Sequence, residues 1–267
     1  MKKYLSFFRL RFLMGLQYRA AALGGIATQF AWGFLEITVM KAFYETNPPA
    51  YPMEFQATVS YIWLQQAFLA FFAVWMVEND IFEMIISGNI VYELCRPIRI
   101  YSMLAARNLA NRISRAVLRC IPILAVAVFL PKPYRMGAPA GVGQFLLFLL
   151  AMVLGLLVTV SFFMLIYVFA FYTISPQGLR IILSSLVEFL SGGVIPLPFF
   201  PEPVLRVLEL LPFASMQNVP LRIYGGDITG AETLRAIGLQ VFWLILMTFV
   251  GSILCRAAEQ KTALQGG

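Results

Sequence analysis

Glu36 and Glu188 each stand inside a long apolar run. A carboxyl group in such surroundings is costly to keep and marks a candidate functional site. Gly25, Gln29, Gly33 and Glu36 recur at helical spacing, giving one seam of small and polar side chains, and Ser184, Glu188 and Ser191 repeat the arrangement. Such seams serve either close helix contact or a polar path, so Gln29, Glu36, Ser184 and Glu188 are the candidate path or interface residues. As an acid/base pair the two glutamates would suit proton transfer. The sequence has no histidine, however, which removes the commonest general base and metal ligand. Cys95, Cys120 and Cys255 show neither a CxxC nor a metal-binding spacing.

A second constellation is basic. Asn108, Arg112, Arg115 and Arg119 recur at i, i+4, i+7 and i+11, one face of a helix, with Arg107 off that face. The arginines 112, 115 and 119 either anchor a membrane span from its inner side or meet an anionic headgroup, partner or cargo.

Two loops carry the remaining signals. Within residues 78–99, Asp80 with Glu83 three positions on reads as a capping box, and Gly88 as the helix stop. Ile81, Phe82, Ile85 and Ile86 form a short apolar face between them, which packs on either a partner groove or its own bundle. Residues 192–228 open with Gly192, Gly193, Pro196, Pro198, Phe199, Phe200 and Pro201. The prolines stop the preceding helix, and irregular backbone at membrane depth must be covered by protein or line a wet cavity. The segment reads as a re-entrant hairpin and loop on the outer side, with Gly192-Gly193 as a hinge, or as an ordinary outer loop with proline turns. Val204–Leu211 is an amphipathic stretch too short to cross, and Thr229 with Glu232 reads as a capping box opening the last long helix.

The elements that must position these groups are membrane helices. Of 267 residues 60% are hydrophobic and 12% charged, about half the charge of a soluble domain, so a water-soluble domain is excluded. Spans of about 20 apolar residues fall at 21–43, 56–77, 104–130, 142–173, 178–195 and 233–255. With both termini placed in the cytoplasm, most of the 20 lysines and arginines lie inside. The outer cations are matched by Glu45, Glu54, Glu202, Glu209, Asp227 and Glu232. Residues 1–20 read as an interfacial helix with Leu5, Phe8, Phe12 and Leu16 in a stripe, or as a positive flank to the first span. The fold expectation is all-α integral membrane: six transmembrane helices, a short cytoplasmic helix and an outer re-entrant segment.

In this order the features resemble the membrane subunits of ABC-2-type ABC exporters. The likeness rests on Ser87-Gly88-Asn89 followed by Leu94-Cys95-Arg96-Pro97, on Ser191-Gly192-Gly193 with Ile195-Pro196-Leu197 and Pro201, and on Leu211-Pro212-Phe213 with Pro220 and Gly225-Gly226. The resemblance implies an ABC transporter permease, one transmembrane domain over residues 1–267, which is not itself an enzyme. A separate ABC ATPase subunit, in two copies, would bind ATP and Mg, with no cofactor in this chain. The sequence agrees in having no GxxxxGK[ST] phosphate loop and no Gly-Lys dipeptide. A second permease, identical or related, completes the implied unit; membrane lipid surrounds it, and nucleic acid is not expected. The family's coupling role falls on Asp80, Ile81, Phe82, Glu83, Ile85, Ile86, Ser87 and Gly88. The outer segment would be a lid, and the location the plasma (bacterial inner) membrane with both termini cytoplasmic. The rival readings are a secondary transporter or channel that needs no ATPase, and a membrane-embedded enzyme acting on lipids.

Overall fold

The computed structural model describes residues 2–46, 51–75, 78–94, 98–173 and 176–265. These form twelve α-helices and no strand. In chain order they are α1 (Lys2–Leu16), α2 (Arg19–Thr46), α3 (Phe55–Ala67), α4 (Leu69–Phe72), α5 (Asn79–Ile86), α6 (Ile90–Leu94), α7 (Ile100–Phe129), α8 (Val142–Ala170), α9 (Pro176–Leu190), α10 (Glu202–Leu210), α11 (Asn218–Gly225) and α12 (Gly230–Gln265). Among the described residues α8 and the Gly230–Gln260 part of α12 are long and apolar enough to cross a membrane on those criteria alone. α2 and α7 match them in length but carry charges along their course.

The core lies where α3, α7 and α8 meet. Trp63 of α3 is fully buried between Phe30 and Phe34 of α2, and its indole N–H donates to the Tyr134 carbonyl at 2.8 Å. Gly33 makes this possible, since a Cβ there would stand 2.8 Å from the indole ring. The small-residue seam of α2 therefore packs within the chain, on Trp63 at Gly33 and on Arg119 at Gly25.

The expected span 56–77 is not one helix. It breaks at Phe68 and ends at Phe72, where Arg112 of α7 donates to the Ala70, Phe71 and Ala73 carbonyls. The fifth expected span, 178–195, is shorter too. α9 ends at Leu190, and the stop is Gly192 at φ +83°, ahead of the prolines. α1 packs along α7 with Gly15 against Ser114; Leu5 is exposed and Phe7 joins the core.

Much of the segment after α9 packs against the rest of the chain. A 3-10 turn at Leu197–Phe199 and α10 gather Leu197, Leu208 and Ala214 into a small cluster of their own. α11 is buried from Asn218 to Tyr224 against α3 and α8. Gly155 lets the Met216 carbonyl approach α8, and Gln240 of α12 donates to the Ser215 carbonyl at 2.9 Å and the Ala151 carbonyl at 3.0 Å.

Candidate functional sites

The first site begins with α5. No side chain caps its N-terminus, so the expected Asp80–Glu83 capping box is absent. Asp80 and Glu78 are instead both ion-paired with Arg107. Asn111 donates to Glu78 Oε1 at 2.8 Å, and the Glu78 backbone N–H meets the Tyr167 hydroxyl at 3.3 Å. Arg180 of α9 donates to Asn79 Oδ1. The start of α5 is thus clamped to α7, α8 and α9 at once. The same clamp turns Ile81, Phe82 and Ile85 into the bundle, where Phe82 lies 5.3 Å from the Tyr167 ring centroid. Only part of the expected docking face remains outside: Asp80, Glu83, Ile86, Ser87 and Gly88 are exposed. Gly88, at φ +74°, ends the helix as anticipated. Cys95, Arg96 and Pro97 of the expected motif lie outside the described residues.

The basic face of α7 divides into three. Arg112 is 3% exposed; it donates to the Ala70, Phe71 and Ala73 carbonyls and to Asn108 Oδ1 at 2.8 Å, and stacks 4.2 Å from the Phe163 ring centroid. It is a plug for a helix end, where a cation also meets the negative pole of the helix dipole. Arg115 is exposed, bordering an inner cavity of about 510 Å³ whose walls include Arg11, Arg107 and Asp80. Arg119 borders that cavity as well, but its guanidinium also covers Gly25 and faces a second, larger one. Arg107, off the basic face by helical spacing, is the arginine that holds α5. A helical wheel of α7 alone contains no trace of Glu78 opposite.

The larger cavity, about 900 Å³, runs along α2 from Gly25 to Phe43. At 1.5 Å per residue that is about 27 Å, close to the thickness of a bilayer's hydrocarbon core. Three of the four candidate path residues, Gln29, Glu36 and Glu188, line it together with Gln65 and Gln66. The fourth, Ser184, bonds back to the Arg180 carbonyl of its own helix at 2.7 Å and is not on the cavity wall. Glu36 accepts from Gln66 at 3.4 Å. Gln29 is 3% exposed and neither its amide nitrogen nor its oxygen has a partner.

At its Phe43 end the cavity meets Tyr51 and Phe199. The Gly192 and Gly193 carbonyls beside it accept from Tyr61 at 3.4 Å and from Gln65 at 2.7 Å. The expected hinge is therefore tethered from α3. Of the other outer residues, Pro196 and Pro198 are buried, Phe200 packs on Phe189 at 5.3 Å, and Pro201 heads α10.

An all-helical chain with long apolar helices and a bilayer-length cavity has the build of a membrane transport component. The chain belongs to the ABC-2 family of transporter proteins, whose family pattern it matches over residues 50–263. It is thus a transmembrane permease of the ABC transporter class. No curated protein matches it.

Proposed function

We propose that the chain is the membrane-spanning permease subunit of an ATP-driven exporter. It crosses the plasma membrane six times, through α2, α3–α4, α7, α8, α9 and α12, with both termini in the cytoplasm. It forms the translocation path with a second permease and draws its energy from a separate pair of ATPase subunits that bind ATP and Mg. α5 is the coupling element. The observation that carries this reading is the form of α5: a short helix whose start is clamped by Arg107 to the long helix α7, while Glu83, Ile86, Ser87 and Gly88 remain exposed at its far end. A push on that tip is delivered to α7 and α8 as a rigid displacement. The outer segment from Gly192 to Pro201 is the lid, and Gln65 and Tyr61 are the tethers that a lid motion must release.

Co-purification tests the reading. The tagged chain, expressed with its chromosomal neighbours, is expected to bring down an ATP-binding protein, and Ile86→Asp is expected to lose that partner while the chain stays folded. Vectorial transport by the reconstituted chain alone, with no nucleotidase present, would sink the proposal and favour the ATPase-independent transporter.

A further inference from the structure

The 900 Å³ cavity carries a pattern that a translocation path as such does not require. Its wall is chiefly apolar, with Trp32, Phe43, Trp75 and Phe199 among the aromatic residues. Into this wall project two carboxyl groups, Glu36 and Glu188, from different helices. The hydrogen-bond partner found for the Glu36 carboxylate is the Gln66 amide, and no ion pair is formed by either glutamate among the described residues. The cation on the wall is Arg119, beside Gly25. Gly25 and Glu36 are eleven residues apart on α2, or about 16 Å along the helix, so Arg119 stands at the inner end rather than with the acids.

Carboxylates in an apolar cavity carry an uncompensated desolvation cost. An occupant of positive charge offsets it, and aromatic faces add attraction for a cation that has shed its water. Gln29 supplies an independent sign of an occupant. It lies two helical turns from Glu36 on the same face of α2, is almost wholly buried, and leaves a donor and an acceptor without partners. A buried amide in that condition costs free energy unless something in the cavity bonds to it.

We propose that this cavity binds a lipophilic organic cation, its charged centre between Glu36 and Glu188, its apolar body against the aromatic wall, and a polar group within reach of Gln29. The inference rests on the permease reading and adds the class of cargo to it. It also assigns Arg119 a place: a positive charge at the inner end favours occupants whose cationic end lies deeper in the groove.

The test uses the chain in lipid nanodiscs without any ATPase, so that it stands apart from the co-purification above. The probes are tetraphenylphosphonium and tetraphenylborate, nearly equal in size and shape and opposite in charge, read by quenching of tryptophan fluorescence, since Trp32 and Trp75 are on the wall. Empty nanodiscs give the membrane partitioning of each ion. The expected result is saturable binding of tetraphenylphosphonium, weakened about tenfold by Glu36→Gln or Glu188→Gln and further by both, with Glu202→Gln, exposed on α10 and outside the cavity, leaving it unchanged. Equal binding of both ions would mean an apolar groove without charge selection and would overturn the proposal. So would preference for tetraphenylborate lost in Arg119→Gln, which would mark an anionic amphiphile as the occupant. Absence of quenching would mean that the groove is closed, by a second permease for instance, and would overturn it too. Because Glu→Gln keeps the shape of the side chain, thermal unfolding of the variants separates a lost site from a lost fold.

Discussion

The inner clamp and the long groove use the same kinds of side chain in opposite ways. Around α5 and α4, Arg107 and Arg112 are held mostly by acceptors: two carboxylates for one, three carbonyls and an aromatic face for the other, although Arg112 Nη2 has no partner among the described residues. Along the groove, Glu36 and Gln29 of α2 and Glu188 of α9 line the cavity and find one amide among them. Buried polar groups that are satisfied hold a structure in one arrangement, and buried polar groups that are not are held there at a cost that something else must justify. The difference assigns the inner region to force transmission, which needs stiffness, and the groove to binding, which needs vacancies.

The comparison breaks first at Arg112. Arg112→Met removes the donor for three carbonyls at the end of α4 and should destabilise the chain by about 3–5 kcal/mol, since each unsatisfied buried acceptor costs about 1–3 kcal/mol. Thermal unfolding in detergent would show a melting temperature lower by roughly 10 °C. Arg112→Lys keeps the charge but not the planar stack on Phe163 and should fall between the two. A Met variant with unaltered melting would mean that α4 does not depend on the plug.

Arg107→Gln comes next. It leaves Glu78 and Asp80 facing one another at the start of α5, with Glu78 10% exposed. A loss of about 2–4 kcal/mol is expected for breaking a largely buried pair, but the sharper readout is retention of the ATPase, because the substitution frees α5 from α7. Adding Glu78→Gln to Arg107→Gln removes one stranded charge and should restore melting more than it restores ATPase retention. Full recovery of both would deny the clamp its role in transmission.

Glu36→Gln and Glu188→Gln sharpen the contrast from the other side. If the groove acids are there for an occupant, neutralising them removes a desolvation cost and should leave stability unchanged or raise it by about 0.5–1 kcal/mol. A large destabilisation by either would make them structural groups like Arg107.

The sequence makes the long elements legible and the junctions between them obscure. α2, α7, α8 and α12 appear at the expected places because apolar length marks a helix without reference to its surroundings. The break at Phe68 does not, since neither proline nor glycine stands there, and the end of α4 that follows it meets Arg112, a residue of the distant helix α7. The same limit explains why Arg107 looked incidental, and why Asp80 resembled a cap: its partner lies on α7. Glu36, Glu188 and Gln29 were legible because polarity inside an apolar run is a local signal. That they share one cavity, and that Ser184 does not, depends on how α9 is turned against α2. Ile81, Phe82 and Ile85 were visible as an apolar face, but periodicity cannot say whether such a face meets its own bundle or another protein.

The smallest expected effect concerns the tethers of the outer segment, where the two halves of the comparison meet. Gln65 lines the groove and also holds the Gly193 carbonyl at 2.7 Å, whereas the Tyr61 hydroxyl stands 3.4 Å from Gly192 and 3.4 Å from Asn218. Gln65→Ala should therefore cost about 1 kcal/mol, and Tyr61→Phe a few tenths of that scale, because hydrogen bonds weaken as they lengthen. Hydrogen exchange over residues 191–200 reads the difference: faster in Gln65→Ala, nearly unchanged in Tyr61→Phe. Gly192→Ala is a poor probe of the same motion, since its φ of +83° and the Tyr61 hydroxyl 2.7 Å from the added Cβ strain the folded state directly. Equal loosening by Gln65→Ala and Tyr61→Phe would mean that packing, not these bonds, fixes the segment. Loosening by Gln65→Ala alone would make Gln65 the residue through which an occupant of the groove is felt at the outer side, since a ligand that takes its amide must release Gly193.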